Sequence, residues 1–184
     1  RGTLNYTDQN AYEKEMQVAQ DTYGPLFAKY AGTPIAQLAA DPDALKIGQR
    51  LFVNYCAGCH GSDAGGGPGF PNLSDNSWLY GGEPDAIKLS ILDGRNGVMP
   101  AWGAVLNDKG VDEVTAYVIS LSGRDADAEK AATGATHFAT YCAACHGADG
   151  TGNTALGAPN LTDSSWLYGA SAGVIRQSIN DGRK

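Results

Sequence analysis

The chain has only four cysteines, three histidines and two methionines in 184 residues. With so few soft or ligating side chains, the place of each one is informative. It also has no apolar run near the roughly 18 residues that a membrane-spanning helix needs, so this stretch is expected to be soluble. Basic residues are in the minority, 13 Lys and Arg against 20 Asp and Glu, for a net charge of −7. That balance argues against nucleic acid, which selects a basic patch, and against an anionic membrane surface. It suits a partner that carries a positive patch. No βαβ pattern is present, as a thioredoxin-like dithiol would want.

What the sequence does have is a repeat. Cys56-Ala57-Gly58-Cys59-His60 returns as Cys142-Ala143-Ala144-Cys145-His146, and the two copies use every cysteine. C-x-x-C-H is the pattern of c-type haem attachment. Two thiols one helical turn apart each add across one vinyl group of the same porphyrin, and the following histidine lies under the iron as proximal ligand. The competing readings are a redox dithiol or half of a zinc site. A zinc cluster of four cysteines would need both pairs to converge, and neither alternative explains a histidine after each pair. With all four thiols in thioether bonds, none remains for a disulfide.

The surroundings repeat too. Phe52 and Tyr55 match Phe138 and Tyr141, and His60-Gly61 matches His146-Gly147. Pro71-Asn72-Leu73 matches Pro159-Asn160-Leu161, Ser77-Trp78-Leu79-Tyr80-Gly81 matches Ser165-Trp166-Leu167-Tyr168-Gly169, and Asp93-Gly94-Arg95 matches Asp181-Gly182-Arg183. One domain has been duplicated in tandem. At roughly 80 residues each, such units are marginal on a protein core alone, and an apolar macrocycle at the centre supplies the missing buried area. It also accounts for how 25 glycines and long Gly/Pro loops are tolerated.

Along the chain, residues 1–43 form an N-terminal helical extension. Thr7 or Asp8 caps a helix to about Ala31-Gly32, which Gly24-Pro25 interrupts, leaving one helix or two shorter ones. Ala11, Tyr12, Met16, Ala19, Tyr23, Phe27 and Tyr30 mark one face, expected to pack on the first haem domain or a neighbouring subunit. The first domain spans 44–124, with a helix over Leu45–Tyr55 whose Gly48 and Phe52 would face a packing helix. A glycine-rich loop follows His60; no strand precedes it and no P-loop lysine follows, against a nucleotide reading. A helix opened by Pro84 is closed by Gly94. A last helix from Asn107-Asp108 to Leu121 carries Val111, Val114, Tyr117, Val118 and Leu121 as its apolar stripe. Residues 125–133 are a linker, and 134–184 make the second domain.

Met99 lies in a loop before a proline, where a thioether can reach the distal face of a haem iron and favour its ferrous state. Core methionines usually sit on helix faces, and Met16, on the N-terminal helix, reads as core or interface. No counterpart of Met99, nor of the helix over Asn107–Leu121, is present in the second repeat, so the chain reads as cut and the second domain as C-terminally incomplete. His137 precedes Cys142 on a helix and is a poor substitute ligand. Trp78 and Trp166 are expected to line the haem pockets, where an indole N–H can reach a propionate, with simple core packing as the other reading. Arg95 and Arg183 are expected to pair with propionates.

These residues resemble a known family. Two tandem class I cytochrome c domains follow the stretch Gly2-Thr3-Leu4-Asn5-Tyr6-Thr7-Asp8. With Phe70-Pro71-Asn72-Leu73, Trp78-Leu79-Tyr80-Gly81 and Gly94-Arg95-Asn96-Gly97-Val98-Met99-Pro100-Ala101-Trp102, the chain is similar to the di-haem subunit III of bacterial cbb3-type cytochrome c oxidases. The resemblance implies an all-α fold and two haem c groups. It implies no catalytic site, but a wire on the periplasmic side of the inner membrane, anchored through a segment not present here. Its partners would be the other oxidase subunits and a donor cytochrome, with electrons passing towards an oxygen-reducing haem–copper centre. A free-standing soluble di-haem cytochrome and a di-haem peroxidase are the other readings of the same motifs.

Overall fold

The computed structural model describes residues 7–184, so the family-like stretch before Thr7 lies outside the described residues. These residues fold into helices joined by loops, with isolated bridges in place of strands. Among the described residues, those up to Asn54 form one compact unit, and Tyr55–Lys184 form another.

In the first unit, α1 (Asp8–Ala31) starts where the Thr7 hydroxyl accepts the Asn10 amide at 3.1 Å and ends at Gly32. It runs unbroken through Pro25, although a proline there removes one intrahelical hydrogen bond. Tyr12, Met16, Tyr23 and Phe27 on its apolar face are all at least half exposed. A short α2 (Ile35–Leu38) follows. The next helix, α3 (Pro42–Tyr55), opens where Asp41 accepts the Ala44 and Asp43 amides. Those two bonds hold the Asp41 carboxyl below its ordinary range, the Ala44 bond contributing most. Within this unit, no neighbouring atom lies within 4 Å of where a Gly48 Cβ would be.

The second unit contains the two C-x-x-C-H turns, α4 (Ala57–His60) and α8 (Ala143–His146). Each ends on a glycine with positive φ, Gly61 at 79° and Gly147 at 80°, a backbone state that side chains resist. The Pro84 start and Gly94 stop of α5 (Pro84–Asp93) fall as the sequence predicts. In α6 (Gly103–Leu121) the backbone departs from helical geometry at Asn107, whose side chain accepts the Lys109 amide at 3.0 Å and so caps the longer second half. The cap explains why the sequence places a helix start there. Asp127 caps α7 (Ala128–Tyr141) by accepting the Lys130 amide, so the helix begins before Gly134 and takes in the end of the expected linker. Last comes α9 (Ala172–Asp181), capped by Ser171.

The apolar stripe of α6 is buried as predicted, with Val111, Val114 and Val118 at most 4% exposed. What covers it differs from simple sequence order. The helix packs on α7 and α9 of the second repeat, forming one core with Leu106, Ile119, Phe138, Cys142, Ile175 and Ile179. Each large apolar side chain there contributes about 1.5–3 kcal/mol on burial. Gly134 allows the backbones of α7 and α6 to approach, and the Tyr117 and Phe138 rings meet at 5.2 Å beside the crossing. Arg176 on α9 donates to Asp112 and Asp108 on α6, both at 2.7 Å.

Candidate haem sites

Each C-x-x-C-H segment closes into a single turn directly after a longer helix, α3 for the first and α7 for the second. Their histidines receive the same treatment. His60 Nδ1 lies 3.0 Å from the Pro71 carbonyl, and His146 Nδ1 lies 3.1 Å from the Pro159 carbonyl. A carbonyl only accepts, so each Nδ1 carries the proton and each Nε2 is left with its lone pair. That is the tautomer an iron requires, fixed by a partner outside the metal's own ligands. The proline carbonyls are the functional groups that sequence reasoning passed over, although the repeat marks both positions.

The four thiols are free. Cys56, Cys59 and Cys145 are exposed, whereas Cys142 is buried. Burial, with the neighbouring Cys145 charge second, pushes the Cys142 thiol up to about 11. Burial also holds the His146 imidazole below its ordinary range, outweighing its bond to Pro159, and keeps the ring neutral for ligation. In the first repeat, Phe70, Leu89, Ile91, Leu92 and Val98 are exposed apolar side chains. A porphyrin face covers such a surface, so the residues present fit the group the motif implies. Among the described residues, no group of three or more His, Cys, Asp or Glu side chains gathers as a metal cluster, and the cysteine pairs do not meet.

The arginines take matching positions. Arg95 Nε donates to Ser90 Oγ at 2.8 Å, and its guanidinium lies 4.7 Å from the centre of the Tyr80 ring. Arg183 Nε donates to Ser178 Oγ at 2.9 Å, with its guanidinium 4.2 Å from the Tyr168 ring centre. Arg95 Nη2 also donates to the Ala86 carbonyl at 2.9 Å, and each guanidinium still keeps donors for a further anion. Trp78 packs beside Gly82, and Trp166 lies against the core that contains Cys142.

Met99 is brought to the second repeat. Its backbone exchanges two 2.9 Å hydrogen bonds with Arg183, and its side chain packs against the α6–α7–α9 core. The neighbouring Trp102 amide donates to the Ile179 carbonyl at 3.0 Å. His137 is already engaged, its Nε2 3.2 Å from the buried Glu113 carboxylate.

Comparison with known proteins gives the family. The family model for cytochrome c oxidase, cbb3-type, subunit III matches residues 43–118 and again 129–184. The chain belongs to that family. The cbb3-type cytochrome c oxidase subunit CcoP of Rubrivivax gelatinosus is 46% identical over 184 residues, covering 100% of this chain and 60% of the relative. Subunit CcoP of Cereibacter sphaeroides is 35% identical, covering 99% of this chain and 68% of the relative. Subunit FixP of Azorhizobium caulinodans is 37% identical, covering 99% and 67%. The chain thus spans only 60–68% of the length of these relatives. The double family match and the helical architecture agree with two tandem cytochrome c domains. Among the described residues, no helix is long and apolar enough to cross a membrane.

Proposed function

We propose that this chain is an electron-transfer subunit of a terminal oxidase complex, carrying two covalent haem c groups and no catalytic site of its own. Cys56 and Cys59 would hold one haem with His60 on its iron, and Cys142 and Cys145 the other with His146. Each haem supplies a one-electron change of oxidation state; the protein binds it, orients it and sets its potential. Met99 offers a thioether as a distal ligand, a softer donor than a second imidazole and one that favours ferrous iron. Arg95 and Arg183, with Trp78 and Trp166, would meet the propionates. Electrons would arrive from a donor cytochrome on the periplasmic side and leave through another oxidase subunit towards the oxygen-reducing haem–copper centre. The net charge of −7 suits a donor that presents a positive patch.

The observation that carries this reading is the matched pair of Nδ1–carbonyl contacts, which leaves Nε2 of both motif histidines free for iron. The test is the mass of the denatured protein after maturation in a host that makes c-type cytochromes. Thioether-bound haem survives denaturation, so a mass equal to the polypeptide plus two haems is expected. A polypeptide without haem would overturn the reading, and one haem would remove one of the two sites.

A further inference from the structure

The two repeats meet each other through the same residues. Ser77 Oγ donates to Ser165 Oγ at 2.9 Å, two serines 88 positions apart that are equivalent in the duplication. On one side of this contact a methyl group at Gly69 would lie 3.8 Å from the Tyr168 ring; on the other, Gly157 lies directly under the Tyr80 ring. Gly69 and Gly157 are again equivalent, as are Tyr80 and Tyr168. A contact in which each half offers the same patch has the logic of a twofold dimer interface built within one chain.

This seam joins the surroundings of the two motif histidines. The Gly69 amide donates to the Leu167 carbonyl at 2.7 Å. Next along the chain, Phe70 sets its ring edge-on to His60 at 6.2 Å, and Pro71 accepts from His60 Nδ1. On the far side, Leu167 is bonded to Trp166, which packs against the core that includes Cys142. A continuous path of covalent bonds and two hydrogen bonds therefore links His60, the proposed ligand of the first haem, to Trp166, proposed above to meet a propionate of the second. Electron tunnelling weakens steeply with each through-space gap, so such a path is worth more than proximity alone.

We propose that the seam between the repeats is the electron-transfer junction between the two haem sites, with the Gly69–Leu167 hydrogen bond on its route and the Ser77–Ser165 and Tyr80–Gly157 contacts holding it closed. The inference rests on the two-haem reading above and adds the route. The step balances within the chain: one iron loses an electron and the other gains it.

The test is the rate of exchange between haems, followed by flash photolysis of the fully loaded protein in a half-reduced state. A side chain at Gly157 has no room beneath Tyr80, so Gly157→Ala wedges the seam. Exchange should slow by about tenfold or more, while each haem keeps its own absorption spectrum. Adding Tyr80→Ala to that variant removes the ring that clashes and should restore part of the rate, since the backbone strain of an alanine at a φ of 68° remains. An unchanged rate in Gly157→Ala with both haems loaded would overturn the proposal. Should that variant fail to fold, the Ser77→Ala, Ser165→Ala pair takes its place. Removing both hydroxyls leaves no clash, and slower exchange is again expected; an unchanged rate there overturns the junction equally. Loss of haem loading in the parent protein is a different result and bears on the two-haem reading itself.

Discussion

Gly134 of α7 lies so close to the Glu113 carbonyl of α6 that no methyl group fits between them. Its equivalent in the first repeat, Gly48, has open space where a Cβ would go. The two substitutions should therefore have opposite signs. Gly134→Ala forces the helices apart at an overpacking cost of about 1–3 kcal/mol. Gly48→Ala should gain up to about 1 kcal/mol from helix propensity alone. Denaturant unfolding of the two variants side by side checks this, and equal destabilisation would show that Gly48 is packed as tightly as its counterpart.

Phe138, 1% exposed beneath Tyr117, is the large side chain of the same crossing. Phe138→Ala should cost about 3–5 kcal/mol. The loss should be read as a lowered unfolding midpoint rather than as a change in denaturant slope.

Met99 is tested by a change of ligand rather than of size. Met99→Leu keeps the volume against the α6–α7–α9 core and removes the sulfur. The near-infrared charge-transfer band of thioether-ligated ferric haem should disappear, and the potential of that haem should fall, because the ferrous state loses its preferred donor. Retention of the band in the variant would exclude Met99 as a ligand.

The haem-free polypeptide should be sensitive to both acid and alkali. His146 is held below its ordinary value in the folded chain, so on acidification below about 6.5 the unfolded chain takes up a proton that the folded chain resists. Stability present above that pH is lost as the pH falls. Cys142 titrates at about 11 when folded against an ordinary 9.0, so stability present below pH 9.0 is lost as the pH rises between those values. Haem attachment converts the thiol to a thioether and places the imidazole on iron, and both dependences should vanish. Thermal unfolding across pH, with and without haem, is the measurement.

The proposed haem ligands are legible in the sequence because C-x-x-C-H is local: five consecutive residues contain the two thiols and the proximal nitrogen. Helix ends are legible for the same reason, as at Thr7 and Asn107, where one side chain accepts an amide of its own turn, and at Pro84, whose missing N–H is one the first turn leaves unpaired anyway. What periodicity leaves open is the partner of a buried stripe. Val111, Val114 and Val118 announce that α6 is covered, but the same stripe fits either repeat, because duplication makes their partner surfaces alike. The proline carbonyls that hold His60 and His146 escape for another reason: a backbone acceptor has no side-chain signature, and only the repetition of Pro-Asn-Leu marks its place.

The arginines give the last prediction. Arg95 is held by Ser90, the Ala86 carbonyl and the Tyr80 ring, leaving part of its guanidinium for an anion, and a haem propionate is the anion at hand in the proposed site. A fixed positive charge beside a haem opposes loss of an electron, so removing it favours the ferric state. Arg95→Leu should therefore lower the potential of the first haem, and Arg183→Leu that of the second, each leaving the other haem unmoved beyond the weak long-range coupling that salt screens. Ser90→Ala keeps the charge but frees the side chain, and should produce a smaller shift of the same sign. Redox titration of the three variants, followed at the visible bands, decides the matter. Unmoved potentials in both arginine variants would show that these guanidiniums serve the tyrosine contacts alone.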